Sequence, residues 1–324
     1  MPAPHRTPPA HVTPFDDGVW AIDTGFFRPL CDAVHLVVRG NRAALVDSGT
    51  TRSVTRVLEA IDELGVDLDD IECLFLTHVH LDHAGGAGAL LEHLPNANCV
   101  VHPRGAPHLI DPRVLEAGTR AVYGEAKYQQ LYGALTPIAA DRIRAVADGE
   151  RVMLGSCAFD LHYTPGHALH HCVIHDREGD AVFTGDTFGI SYRELDVRGR
   201  PFIFPATTPT HFDPDQAHGS IERILSLKPS ACFLTHYSRV TDLERLAEDL
   251  HGDIVAFAEI AHRCAGVAHR EREIARLMKA YLFARLDEHR FPDSPKRRTA
   301  ALAMDIELNA KGLCAWLDRS AGRG

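Results

Sequence analysis

Chemistry first shows in the segment Thr77-His78-Val79-His80-Leu81-Asp82-His83 of this 324-residue chain. Three histidines and an aspartate stand there directly after the apolar run Leu74-Phe75-Leu76. These are the residue types that ligate a divalent metal. Side chains alternate faces in an extended segment, so 78, 80 and 82 point one way and two imidazoles can clasp one ion. Gly85 and Gly86 follow, where the lack of a side chain lets backbone approach and a helix begin. A zinc site takes about four ligands, or three and an open water position, so the cluster alone is incomplete. Three further strand ends supply candidates: Thr164-Pro165-Gly166-His167, Phe183-Thr184-Gly185-Asp186 and Leu234-Thr235-His236. Ligands on the rims of packed strands are held rigidly while facing a cleft. Imidazoles with only two carboxylates favour zinc over magnesium, with iron or manganese as the other occupants.

The elements that must position these residues are legible as periodicities. Residues 15–49 alternate short apolar runs with turn residues, as a meander does: Val19 to Ile22, Val34 to Val38, Ala43 to Val46. Val54, Val57, Leu58, Ile61 and Leu64 fall on one helical face, and Gly65 stops the helix. Further strands are predicted at 98–102, 151–154, 157–164, 171–175, 181–184 and 231–235, with a hairpin turn at Asp176 to Asp180. Asp213-Pro214 opens another helix. From Thr241 the pattern is helical only, with Thr241-x-x-Glu244 as a capping box and Leu243, Leu246, Leu250, Ile254 and Phe257 at helical spacing. Segments 105–140 and 188–212 read as insertions. Ala44 to Gly49 echoes Ala181 to Asp186, and Leu74 to His78 echoes Cys232 to His236. Two such halves would build a four-layer αββα sandwich. The expected organisation is an α/β domain over 15–240 with a helical extension over 241–324.

Bulk composition narrows the function classes. A net charge of −10 counts against nucleic acid as the main ligand. The basic run Lys296-Arg297-Arg298 reads as a solvated loop. No stretch reaches the roughly 20 apolar residues that span a bilayer, and the Pro- and His-rich segment from Met1 to Pro14 has no apolar core of a secretory signal. Eight cysteines without a C-x-x-C pair read as inert buried thiols, which places the chain in the reducing cytoplasm. The apolar face of Leu313, Trp316 and Leu317 fits either the chain's own core or a second subunit of a homo-oligomer.

His78-x-His80-x-Asp82-His83, then His167, Asp186 and His236, resembles the motif of the metallo-β-lactamase superfamily, in order and in local context, over roughly 15–240. The resemblance implies that fold and two metals. It places His78, His80 and His167 on the first, Asp82, His83 and His236 on the second, and Asp186 between them. Paired metals can share a hydroxide and stabilise charge on the oxygens of a reacting centre. The expected activity is hydrolysis of an ester-like carbonyl of a small molecule: an ester, lactone or thioester. Asp82, a ligand beside the nucleophile, would orient it or shuttle a proton. Tyr192, on the loop after Asp186, would donate to a developing oxyanion.

Neighbouring functions are weighed by the same residues. True β-lactamases of this fold lack either the histidine at 83 or the bridging aspartate, and this chain has both. The resemblance extends to glyoxalase II-like thioesterases and to lactonases, which share this ligand set, while no basic cluster near the C-terminal helices marks a glutathione site, which sets glyoxalase II itself aside. Cleavage of a small phosphodiester is the alternative that two zincs serve equally. A mononuclear-iron persulfide dioxygenase is the other, and the complete second-metal set counts against it. Diiron flavoproteins carry a carboxylate at the position of His80. His170, His171 and His175 alternate between faces and read as structural. Asp47 reads either as a turn residue or as a partner orienting a ligand histidine. Phe188, Phe202, Phe204 and Phe212 are divided between packing and the wall of a substrate pocket, and Tyr123, Tyr128 and Tyr132 between packing and a substrate lid.

Overall fold

The computed structural model describes residues 9–15, 18–207 and 211–322, so residues 1–8 of the Pro- and His-rich segment lie outside it. Two compact units divide the chain. The first holds the described residues up to Tyr163, then His170–Gly185 and Pro229–Arg239. The second holds Thr164–Leu169, Asp186–Lys228 and the chain from Val240 onward.

The first unit is built on two sheets. One runs in chain order: β1 (Val12–Phe15), β2 (Val19–Asp23), β3 (Ala33–Arg39), β4 (Arg42–Val46), β5 (Ile71–Phe75), β6 (Asn98–Val101) and β7 (Ile143–Ala145). Its first four strands are antiparallel, and β4 through β7 are parallel. The crossovers contain α1 (Val54–Glu63), α2 (Leu81–Ala84) and α3 (Ala87–Leu91). Segment 105–140 folds into α4 (Ala106–Ile110), α5 (Arg113–Tyr123) and α6 (Glu125–Leu131). The other sheet comprises β8 (Arg151–Leu154), β9 (Cys157–Tyr163), β10 (Cys172–Asp176), β11 (Ala181–Gly185), β12 (Ala231–Leu234) and β13 (Ser238–Val240), in the order β13-β12-β11-β10-β9-β8.

Strand alternation decides which side chain fills which layer. Leu36, Leu45, Leu74 and Leu76 join Val57, Ile61 and Leu90 of the helices in one core. Their neighbours Val37, Ala44, Val46 and Phe75 face the other way and interleave with Phe159, Leu161, Ile174, Phe183 and Phe233 of the second sheet. The echo between halves is topological as well. β4 pairs with β5 in parallel as β11 does with β12, each after an antiparallel neighbour. At the β10–β11 hairpin, Asp176 Oδ1 accepts from the Glu178 and Gly179 N–H groups, each at 3.1 Å, which closes the turn.

The second unit contains α7 (Pro214–Ser226), α8 (Leu243–Arg263), α9 (Arg270–Glu288) and α10 (Pro295–Ala321). Asp213 caps α7 by accepting from the Gln216 N–H at 3.1 Å. On α8 the expected residues Leu243, Leu246, Leu250, Ile254 and Phe257 are buried. The capping box at Thr241 does not form: α8 begins after Asp242, with no side-chain cap. Ile274, Met278, Leu282 and Leu286 make the matching face of α9. Lys296, Arg297 and Arg298 lie in the first turn of α10 instead of a loop, because Pro295 starts that helix and Ser294 caps it. Arg298 pairs there with Asp287 at 2.5 Å. Leu313 and Leu317 are buried within the chain, and Trp316 meets Phe212 edge-on. Among the described residues no helix is long and apolar enough to cross a membrane. The eight cysteines are free thiols, and burial pushes Cys73 and Cys172 up to about 12.

Candidate metal centre

In the first unit the ligand candidates stand at the carboxyl ends of β5 and β12. The chain stays extended through His80 and then turns into α2. His78 and His80 therefore follow the strand alternation, with His78 Nε2 and His80 Nδ1 2.9 Å apart. Asp82 and His83 are presented by the helical turn, not by a continuing strand. His80 serves as its N-cap residue, and Asp82 in the first turn suits the positive end of the helix. Gly86 lets this turn sit against the β4–α1 connection: a Cβ there would lie 2.8 Å from the Ser48 carbonyl oxygen.

Asp82, His83 and His236 converge. One ligand atom from each lies within 4.8 Å of the others. Asp82 Oδ2 is 4.0 Å from His83 Nε2 and 3.7 Å from His236 Nε2. These separations are too long for hydrogen bonds and suit donors arranged round one ion with bonds of about 2 Å. The far nitrogens are committed. His83 Nδ1 donates to Asp47 Oδ2 at 2.8 Å, and His236 Nδ1 donates to the Cys31 carbonyl at 2.7 Å. Both partners are acceptors only, so each imidazole carries its proton on Nδ1 and turns a lone pair on Nε2 inward. The donor set thus fits a divalent metal.

Asp47 ties the two halves of the unit together. Its Oδ1 accepts from the Thr77 N–H and hydroxyl, each at 2.9 Å, and its Oδ2 also accepts from the Thr235 hydroxyl at 2.8 Å. Of the two sequence readings for Asp47, the structure shows the partner of a ligand candidate. The sequence gives Thr77 and Thr235 no role by themselves, although the signal is present: each precedes a histidine in the echoed Leu-Thr-His segments. The Thr77 hydroxyl, a donor to Asp47, stands 3.2 Å from His78 Nδ1 and can accept its proton. Asp32 was also missed. It is fully buried, accepts from the Thr24 hydroxyl at 2.9 Å, and burial pushes its carboxyl up to about 7 against the pull of His236 and His83.

The discounted histidines are structural neighbours here. The His171 ring lies 4.9 Å from His78, and His170 accepts from the Val79 N–H at 3.4 Å. Tyr128 and Tyr132 are buried, Tyr128 donating to Glu116 at 3.0 Å and Tyr132 packing on Phe26. Burial, then Tyr123 and Asp82, hold the Tyr132 phenol well above its ordinary range.

In the second unit His167 Nε2 lies 3.3 Å from Asp186 Oδ2, and His167 Nδ1 donates to the Ala206 carbonyl at 3.0 Å. The same tautomer logic applies. Both residues border a small apolar pocket with Pro205, Ala206, Phe212, Ile221, Leu250 and Ile254 in its wall. Phe188, Phe202 and Phe204 are buried in packing. Tyr192 is buried too, its hydroxyl donating to Asp305 Oδ1 at 3.0 Å.

The fold agrees with the comparisons. The family profile described as metallo-beta-lactamase superfamily matches residues 33–236, and the chain belongs to that superfamily. A metallo-beta-lactamase fold-containing protein of Sulfurisphaera tokodaii is 28% identical over 64% of this chain and 73% of its own. A hydroxyacylglutathione hydrolase of Pseudomonas aeruginosa is 26% identical over 86% of this chain and 90% of its own. The crystal structure of a metallo-beta-lactamase family protein from Thermus thermophilus superposes with a TM-score of 0.63 at 18% identity, covering 94% of each chain, a likeness of fold. The expected α/β sandwich with a C-terminal helical region is the architecture observed.

Proposed function

We propose that this chain is a dinuclear zinc hydrolase acting on an ester-like carbonyl of a small molecule. The observation that carries the reading is the convergence of Asp82, His83 and His236, each imidazole with its outer nitrogen occupied. His78, His80 and His167 would hold the other ion and Asp186 would join the two, following the order of the motif. Bound there, a pair of divalent ions supplies water of lowered pKa and positive charge for a developing oxyanion. The chain's own residues do the rest. Asp47 and the Cys31 carbonyl orient the two imidazoles. Asp82, with 22% of its side chain exposed beside buried histidines, is placed to orient the attacking water or pass on its proton. Among carbonyl substrates the thioester is favoured, because relatives named hydroxyacylglutathione hydrolase match along most of the chain.

The test is metal content on protein purified without added metal, with the same sample assayed against lactones, thioesters, aryl esters and bis-aryl phosphodiesters. About two zincs per chain are expected, with thioester or ester hydrolysis that a chelator abolishes and zinc restores. Phosphodiester cleavage alone would replace the carbonyl reading. About one iron per chain with oxygen uptake on a persulfide would overturn it.

A further inference from the structure

Helix α10 lies far from the metal motif in sequence, yet one of its faces holds the loop that contacts His167. Asn309, buried in α10, spans Ala206 from both sides. Its Oδ1 accepts from the Thr207 N–H at 2.7 Å, and its Nδ2 donates to the Pro205 carbonyl at 2.9 Å. The Thr207 hydroxyl adds a bond to the Asn309 carbonyl at 3.1 Å. An N–H on one side and a C=O on the other admit only one orientation of the amide. Between these two anchors stands the Ala206 carbonyl, the acceptor for His167 Nδ1. One helical turn earlier on the same face, Asp305 accepts from the Tyr192 hydroxyl, and further along Arg319 donates to the Phe212 carbonyl at 2.6 Å. The loop is pegged at three points to one helix.

We infer that Asn309 is a positioning residue for His167: it fixes the Ala206 carbonyl, which sets the imidazole tautomer and aims Nε2 at the metal. Tyr192 acts in the same device, as an anchor of the loop. This rests on the proposed role of His167 as a ligand. A carbonyl held on both flanks cannot swing with the imidazole, so the histidine's orientation is settled before metal arrives. Outer partners of this kind commonly contribute about 10- to 100-fold in metal affinity. Leucine at 309 would keep the branching at Cγ and make neither bond. Aspartate would keep the acceptor for Thr207 and set a carboxylate against the Pro205 carbonyl.

Zinc dissociation constants would be measured by chelator competition on the full chain for wild type, Asn309→Leu, Asn309→Asp and His167→Ala, with circular dichroism confirming the fold. One zinc is expected to weaken about 10- to 100-fold in Asn309→Leu and less in Asn309→Asp, the other zinc being unchanged. His167→Ala should lose that same ion. Wild-type affinities in the folded Asn309 variants, with one ion lost in His167→Ala, would overturn the positioning role and leave the ligand set standing. Equal weakening of both ions would also overturn it. Both zincs retained by His167→Ala would overturn the ligand reading and the inference with it. If Asn309→Leu does not fold, Asn309→Asp decides by the same criteria.

Discussion

Replacing Asp47 by alanine should strip the candidate centre of its common support. Four donors point at this carboxylate: the Thr77 N–H, the Thr77 and Thr235 hydroxyls, and His83 Nδ1. The hydroxyls can rotate toward other acceptors. The backbone N–H and the imidazole N–H cannot, and both are buried. Each stranded donor costs about 1–3 kcal/mol, so Asp47→Ala should destabilise the metal-free protein by about 2–6 kcal/mol. Asp47→Asn is the sharper variant. Its carbonyl can still serve Thr77, but its amide would meet the His83 N–H donor to donor. The imidazole must then turn or shift its proton to Nε2, the atom that faces Asp82 and His236. Zinc binding at the site proposed for Asp82, His83 and His236 should weaken by about 10- to 100-fold. Urea unfolding of chelator-treated protein reads the first effect, and zinc competition the second. A folded Asp47→Asn variant binding both zincs as wild type would refute the reasoning from tautomer to affinity.

Two further outcomes follow from packing and protonation away from the centre. His35 is buried between Phe183 and Phe233, and burial lowers its pKa from 6.5 to about 4 against the pull of Asp47. The unfolded chain binds the extra proton between these values, so stability is full above about 6.5 and declines as pH falls toward 4. The loss is at most about 3 kcal/mol, and in His35→Phe the slope of unfolding free energy against pH should drop by about one proton; an unchanged slope would assign it elsewhere. Gly88 and Gly118 should respond to alanine with opposite signs. A Cβ on Gly88 would sit 1.9 Å from the Thr136 carbonyl oxygen, whereas Gly118, exposed in α5, has nothing within 4 Å. Gly88→Ala should cost about 1–3 kcal/mol or more, and Gly118→Ala should stabilise by about 0.5–1 kcal/mol; equal thermal shifts would contradict the close approach.

The metal motif was legible because it is local: His78, His80, Asp82 and His83 lie within one turn region, and chemistry dictates their types. Strands and helices with a clean period were legible for the same reason, from the meander of β2 to β4 through the face of α8. Even the family was readable from the order of the ligand candidates, since each stands at the end of an apolar run. What sequence spacing could not decide was where the outer nitrogens go. His83 is oriented by Asp47, 36 residues away, and His236 by the Cys31 carbonyl, 205 residues away. Backbone carbonyls have no sequence signature, so such partners exist only once strands pair. The helical presentation of Asp82, the failure of the Thr241 box and the helical start at Pro295 were local choices that propensity leaves nearly balanced, and tertiary context settled them. Asn309 and Asp305 look like ordinary polar positions of a long helix. Only packing α10 against the loop of Tyr192 and Thr207 turns them into acceptors and donors with work to do, because buried backbone groups must find partners wherever the fold brings them.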